Sequence, residues 1–183
     1  MKIAALVGSN RRESLNKKVV LFMQERYQEQ LTIEIIPIEN LPMYNQDEER
    51  IPPLQVNEMK QMVSHSDGVL IATPEYNHSI PAVLKNALDW FSRPFGKSAL
   101  ANKPTFIIGA CPGMLGTVRA QTHLREILNS PGISALTLPG NEVFIGNAHE
   151  KINVDGQLID SSTIEFLDTV VKNFIAWIER VKQ

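Results

Sequence analysis

The chain has one cysteine, Cys111, so no internal disulfide can form, and neither a thiolate zinc site nor an iron–sulfur cluster can be built from this sequence alone. It has no excess of positive charge. The 18 Lys and Arg stand against 20 Asp and Glu, and a net charge of −2 generates no chain-wide field to gather nucleic acid or an anionic membrane. Long apolar runs are missing as well: nothing approaches the ~18 residues of a membrane span. The N-terminal run Ile3 to Val7 stops at Gly8 with Arg11-Arg12 behind it, too short for a signal-peptide core and with its charge on the wrong side. With only 10 Gly and 11 Pro, collagen-like and linker-like chains are excluded too. What remains is a 183-residue globule, 43% apolar and long enough to bury one substantial core. The expectation is a single domain over residues 1–183, soluble and cytoplasmic, without a nucleic-acid or membrane partner.

Short apolar and β-branched runs alternate with stretches of helical period, the pattern of βαβ units and a parallel sheet. Ile3 to Val7 reads as strand one. Leu15, Val19, Phe22, Met23 and Tyr27 recur as a helix, and Leu31 to Ile38 alternates as strand two. Pro42, Pro52 and Pro53 around Asp47-Glu48-Glu49-Arg50 mark a long irregular connection, a lid or an interface element, in which Glu48 and Glu49 read as solvated charges. Val56 to Val63 is a second helix, and Gly68 to Ala72 a strand buried on both faces. A third helix carries Leu84, Ala87, Leu88 and Phe91, with Ser79 as its expected cap. Thr105 to Ala110 is strand four, followed by a helix with Ala120, Leu124, Ile127 and Leu128. Ile133 to Leu138 and Glu142 to Ile145 share the fifth strand across Pro139-Gly140. Val154 to Leu158 then reads as a hairpin around Asp155-Gly156. Ser162 and Glu165, at capping-box spacing, open the last helix. Right-handed crossovers fold this order into a flavodoxin-like three-layer α/β/α sandwich whose five-stranded parallel sheet runs 2-1-3-4-5. Its ligand crevice opens at the carboxyl ends of the strands, beside the switch point between strands one and three.

Three loops meet there. Gly8 to Asn16 puts hydroxyls, an amide and the Arg11 guanidinium at a helix N-terminus, which reads as an anion site, or more plainly as a Ser14 cap with solvated arginines. It is neither a P-loop nor a dinucleotide fingerprint, because no Gly-Lys-Ser/Thr and no second and third glycine follow. Thr73 to Ser79 offers Tyr76, Asn77 and backbone amides as a flat wall for a planar heterocycle, or is a plain βα loop. His78 has no partner that would make it a base. Cys111 to Thr117 permits close backbone approach at Gly113 and Gly116. Cys111 itself, at the end of an apolar strand, reads as a small buried thiol.

Taken in order, Gly8-Ser9-x-Arg11-x-x-Ser14-x-Asn16, then Thr73-Pro74-Glu75-Tyr76-Asn77-x-Ser79-x-Pro81 running into Leu84-Lys85-Asn86-Ala87-Leu88-Asp89-Trp90, then Gly113-x-x-Gly116-x-x-Arg119-Ala120, resemble the NAD(P)H-dependent FMN reductase family over nearly the whole chain. That family includes quinone, chromate and azo-dye reductases. The resemblance implies that Ser9, Arg11, Ser14 and Asn16, with the backbone of Leu15, hold the FMN phosphate. Pro74, Glu75, Tyr76 and Asn77 would border the isoalloxazine largely through main-chain groups, with Ser79 nearby, and Cys111, Pro112 and Gly113 would lie against its other edge. Family members often carry Ser or Thr where this chain has Cys111, and Gly where it has Thr117.

No protein group is catalytic in this reading. FMN takes a hydride at N5 from NADPH, or NADH, and in a ping-pong cycle passes two electrons to a small-molecule acceptor: a quinone, an azo compound, a flavin or a metal oxyanion. A homodimer or homotetramer is implied, with Trp90, Phe91 and Pro94 as contact candidates and Phe91 equally a core residue. The rivals are a flavodoxin-type electron carrier without its own substrate site, whose usual acidic surface a charge of −2 does not match, and a phosphate-ligand enzyme without FMN, for which no general base is readable.

Overall fold

The computed structural model describes residues 1–182. β1 (Lys2–Val7) lies between β2 (Thr32–Ile36) and β3 (Gly68–Ala72), pairing Ile3 with Ile33 on one side and Val7 with Ala72 on the other, all parallel. β4 (Pro104–Ala110) extends the sheet beyond β3. Every residue of β3 and β4 is buried, as befits central parallel strands covered on both faces. The fifth position is shared: β5 (Leu136–Thr137) pairs with the start of β4, and β6 (Val143–Ile145) with its end. Pro139, which has no N–H for a ladder, falls in the gap between them. The order β2-β1-β3-β4-β5 agrees with expectation.

Alternate side chains of each strand feed two cores. On one face, α1 (Leu15–Arg26) and α6 (Ser161–Val181) bring Val19, Met23, Val171 and Phe174 against Ile3, Ala5, Leu70 and Phe106. On the other, α2 (Leu54–Ser64), α3 (Ala82–Phe91) and α4 (Val118–Leu128) bring Val56, Leu84, Leu88 and Leu124 against Ala4, Leu6, Ile71 and Ile107. Crossovers on both faces leave the carboxyl ends of β1, β3 and β4 open at one rim.

Several local expectations change. The long connection after β2 is pinned to α3. The Pro42 carbonyl accepts from Trp90 Nε1 at 2.8 Å and Asn86 Nδ2 at 2.9 Å, and Asn86 Oδ1 accepts from the Tyr44 N–H at 2.7 Å. Trp90 is therefore a buried core residue beside Phe91, not a contact surface; Pro94 stays exposed. Glu49 is not a free solvated charge: it faces the Arg93 guanidinium at 3.3 Å and takes the Tyr44 hydroxyl. Glu48 remains exposed. Ser79 does not cap α3, which starts after Pro81 without a side-chain cap. Asp160, not Ser162, caps α6, accepting from the Thr163 N–H at 2.9 Å, while the Ser162 hydroxyl donates to the same carboxylate. That register places Glu165 too far into the helix to close a capping box. A one-turn helix, α5 (Ala148–Lys151), precedes the Ile152–Leu158 hairpin.

α1 and α6 are stitched at their solvent edge, where Arg26 grips both Asp168 oxygens at 2.7 Å and the Tyr27 hydroxyl adds a third bond at 2.9 Å. Hydrogen bonding from Arg26, then from Tyr27, holds the Asp168 carboxyl below its ordinary 3.8. The unfolded chain then binds the proton more readily, so this contribution is complete above the ordinary value and is lost as pH falls through the lowered one. Asp168→Asn is expected to cost ~1 kcal/mol at neutral pH, the scale of a half-exposed pair, and to flatten the acid limb of stability. Urea titrations at pH 7 and pH 3 check it; equal losses at both would remove the carboxylate's role.

Candidate functional site

The open rim of the sheet forms a cleft between the three loops. Its first wall follows β1. Ser14 caps α1 by accepting from the Lys17 N–H at 3.2 Å, and Ser9 Oγ accepts from the Arg11 N–H at 3.4 Å, which curls the loop over the helix start. Among the described residues the N–H groups of Leu15 and Asn16 have no protein acceptor, and the Arg11 guanidinium has no carboxylate within ion-pairing distance. Two free donors at a positive helix end beside an uncommitted guanidinium form a cradle for a phosphate. Ser14 thus caps the helix, and the Arg11 guanidinium stays uncommitted.

Asn16 works differently from the expectation that its side chain meets the phosphate. It is buried, and its carboxamide makes a reciprocal pair with Ala110, donating to the carbonyl and accepting from the N–H, both at 2.9 Å. It locks the start of α1 onto the end of β4, so only its backbone N–H faces the cradle.

The second wall follows β3. Pro74, Glu75 and Tyr76 line the cleft, while Asn77 and Ser79 lie just beyond it. Tyr76 and Ser79 exchange backbone hydrogen bonds at 3.0 Å, with Asn77 and His78 both left-handed between them, at φ 51° and 64°. That is a tight two-residue turn, and it leaves Tyr76 half exposed over the opening. The N–H groups of Glu75 and Asn77 have no protein acceptor among the described residues. The third wall follows β4, with Ala110, Cys111 and Pro112 lining and Gly113 just outside. This loop is zipped to the segment after β6. Cys111 N–H donates to Ile145 O, Ala148 N–H to Cys111 O and Asn147 N–H to Gly113 O. A Cβ at Gly116 (φ 58°) would fall 2.6 Å from the Phe144 backbone, which is why no larger residue fits there. Cys111 is partly exposed, its Sγ donating to Gly113 O at 3.2 Å, so the expected buried thiol is instead at the cleft edge.

A wider hollow lies between α1 and α6, but its acid is the Asp168 already bound to Arg26 and Tyr27. The cleft, with free donors and an uncommitted cation, is the candidate site.

The description "NADPH-dependent FMN reductase" belongs to the family whose pattern matches residues 1–150. The chain belongs to that family. NADH:(hydroxy)cinnamate reductase subunit CrdA of Vibrio ruber is 41% identical over 182 residues, 99% of this chain and 89% of that protein. 2-Hydroxy-1,4-benzoquinone reductase of a Burkholderia species is 38% identical over 97% of this chain and 96% of its own. The solved structure of FerB, a flavoenzyme NAD(P)H:(acceptor) oxidoreductase from Paracoccus denitrificans, superposes with a TM-score of 0.89 at 36% identity, covering 98% of this chain and 97% of that one. The protein is thus an oxidoreductase of the NAD(P)H-dependent FMN reductase type, with the flavodoxin-like fold that its sequence pattern predicts.

This FMN reductase carries three features its sequence did not disclose. The Glu75 carboxylate accepts from the N–H groups of Arg119 and Ala120 at the start of α4. His123 Nδ1 meets Ser79 Oγ at 2.8 Å. The segment after β6 braces the third loop. The first two join residues 44 apart in sequence, and only the helical phase of α4 puts Arg119, Ala120 and His123 on one side. No helix among the described residues is long and apolar enough to cross a membrane.

Proposed function

We propose that the protein is an FMN-dependent NAD(P)H:acceptor reductase working in the cytoplasm, with quinones as the first acceptor class and azo compounds, free flavins or metal oxyanions as others. The observation that carries this is the pairing of an anion cradle, Arg11 with the free N–H groups of Leu15 and Asn16, with a flat uncharged wall at Tyr76, across one open cleft. Bound FMN supplies the hydride chemistry, accepting two electrons from a nicotinamide and returning them to the acceptor. The protein's own groups bind and orient. Arg11, Ser9 and the α1 N-terminus hold the phosphate, and the N–H groups of Glu75, Asn77 and Gly113 address the polar edges of the ring. Tyr76 shields one end of the opening, and the site stays wide enough for nicotinamide and acceptor to take turns. Glu75, the one carboxylate lining the cleft, is committed to α4, so no side chain is placed as a general base. Both the quinone reductase and FerB named above support an acceptor reductase over a carrier.

Self-association is part of the proposal. Ile51, Leu54 and Phe95 are 88%, 72% and 72% exposed, large apolar side chains that a subunit contact would cover. Light scattering is expected to give a dimer or tetramer mass; a monomer would remove this part.

The test is the visible spectrum of the FMN-reconstituted protein without oxygen. NADH or NADPH is expected to bleach it, and a benzoquinone to restore the oxidised flavin. Bound flavin that neither nucleotide bleaches would replace the reductase with an electron carrier, and failure to bind flavin would overturn the reading.

A further inference from the structure

We propose that Glu75 is a positioning residue whose carboxylate caps α4 from the second loop and thereby fixes the width of the cleft between the second and third loops. The bond pattern is unusual for a helix start. Thr117, the residue before α4, is left-handed with φ 69° and gives no side-chain cap; its Oγ1 instead accepts from Gln121 Nε2 at 3.2 Å. Val118 N–H reaches back to Leu115 O at 3.2 Å, and the N–H groups that follow it in the first turn of α4 have no local acceptor. Glu75 Oε2 takes two of them, at 3.0 Å from Arg119 N and 3.1 Å from Ala120 N, and Oε1 lies 3.6 Å from the Arg119 guanidinium. The side chain is only 15% exposed, so these are shielded, charge-assisted bonds at the positive end of the helix.

A second tie lies one turn further along α4, where His123 Nδ1 meets Ser79 Oγ at 2.8 Å. Glu75 and Ser79 bracket the Tyr76–Ser79 turn, so that turn is fastened to α4 at both ends. The third loop runs directly into α4 and is fastened on its other side to residues 145–148. The Tyr76 wall and the Cys111–Pro112 wall consequently share one support. Release of the Glu75 cap leaves the turn tied to the helix only through Ser79 and His123 and lets the two walls separate.

The flavin consequence rests on the reading of the cleft as the FMN site, but the coupling itself does not, so the test has two arms. In the first, hydrogen exchange is measured on the flavin-free protein. Glu75→Ala is expected to speed exchange at the Arg119 and Ala120 amides and also at the Tyr76 and Ser79 amides, with Glu75→Gln, which keeps a neutral acceptor, lying between it and the wild type. Faster exchange at α4 alone, with the turn unchanged, overturns the coupling whether or not the protein binds flavin. In the second, FMN titration is expected to show at least a 10-fold rise in Kd for Glu75→Ala and a partial recovery for Glu75→Gln. Asp160→Ala removes the cap of α6, away from the cleft, and serves as the comparison: its melting temperature falls while its FMN Kd stays at the wild-type value. An FMN Kd that rises as much in Asp160→Ala as in Glu75→Ala overturns the positioning role in favour of general destabilisation.

Discussion

Arg11→Ala is expected to raise the FMN Kd by ~10- to 150-fold, about 1.5–3 kcal/mol, the usual size of a hydrogen bond to a charged group. Three features make the loss large. The guanidinium is exposed and has no ion-pair partner among the described residues, so nothing in the folded protein competes for it. It stands next to the free N–H groups of Leu15 and Asn16, whose orientation toward the cleft is set by the Ser14 cap and by the Asn16–Ala110 pair. A dianionic phosphate draws on all of these donors together. Because Arg11 supports no other part of the fold, the melting temperature of the flavin-free variant should stay within a degree or so of wild type, which separates binding from stability. Arg11→Lys keeps the charge without the planar fork and should recover only part of the affinity. An unchanged Kd by fluorescence titration would take Arg11 out of the phosphate site.

Gly109→Ala should be the most damaging small substitution in the sheet. Gly109 is buried in β4, where a Cβ would fall 1.8 Å from Thr117 Oγ1 and 2.8 Å from both Gln121 Nε2 and the Thr73 carbonyl. None of the three gives way cheaply: Thr117 and Gln121 are buried in the start of α4, Gln121 Nε2 is bonded to Val143 O, and the carbonyl belongs to the backbone after β3. Forced overpacking of this kind costs ~3 kcal/mol, or roughly 6–12 °C of melting temperature for a chain of this size. It should also displace the start of α4 and so weaken FMN binding. Thr117→Gly in the same chain removes the nearest obstruction, and at φ 69° it exchanges a strained threonine for the residue that accepts that conformation without cost. The double variant is therefore expected to recover at least half of the lost stability. Calorimetry checks both; a Gly109→Ala protein that melts with the wild type would show that α4 does not press on β4 as described.

The two substitutions probe different sources of the site, and the sequence was informative about only one. Ten of the thirteen residues expected in the site line one cleft, and Asn77, Ser79 and Gly113 stand immediately beside it. The three loops were readable because a parallel sheet leaves its loops at the carboxyl ends of the strands, and the run lengths of Ile3–Val7, Gly68–Ala72 and Thr105–Ala110 locate those ends; the individual residues are what the resemblance to the FMN reductase family implies. The caps were read less well. Asp160 and Ser162 are both good N-cap types within three residues, and local pattern does not choose between them. Trp90 is a second case. An aromatic residue near a helix end fits a subunit contact or a core equally well, and only the Pro42 carbonyl, 48 residues away, commits it to the interior.

What the sequence by itself determined is the alternation of strands and helices, the strand order that right-handed crossovers allow, the face each helix buries, and the loops that meet at the cleft. All of these follow from periodicity and short-range sterics. What only the tertiary structure decided is which polar side chains of those loops are taken up by the scaffold and which are left free at the cleft. Asn16 and Glu75 have the composition of ligand-binding residues, yet their side chains are held by Ala110, Arg119 and Ala120. The partners are backbone N–H and C=O groups, which every residue carries and which leave no mark in the sequence. Their availability depends on where a strand ends or a helix lacks its own cap, and that is settled only when the elements pack.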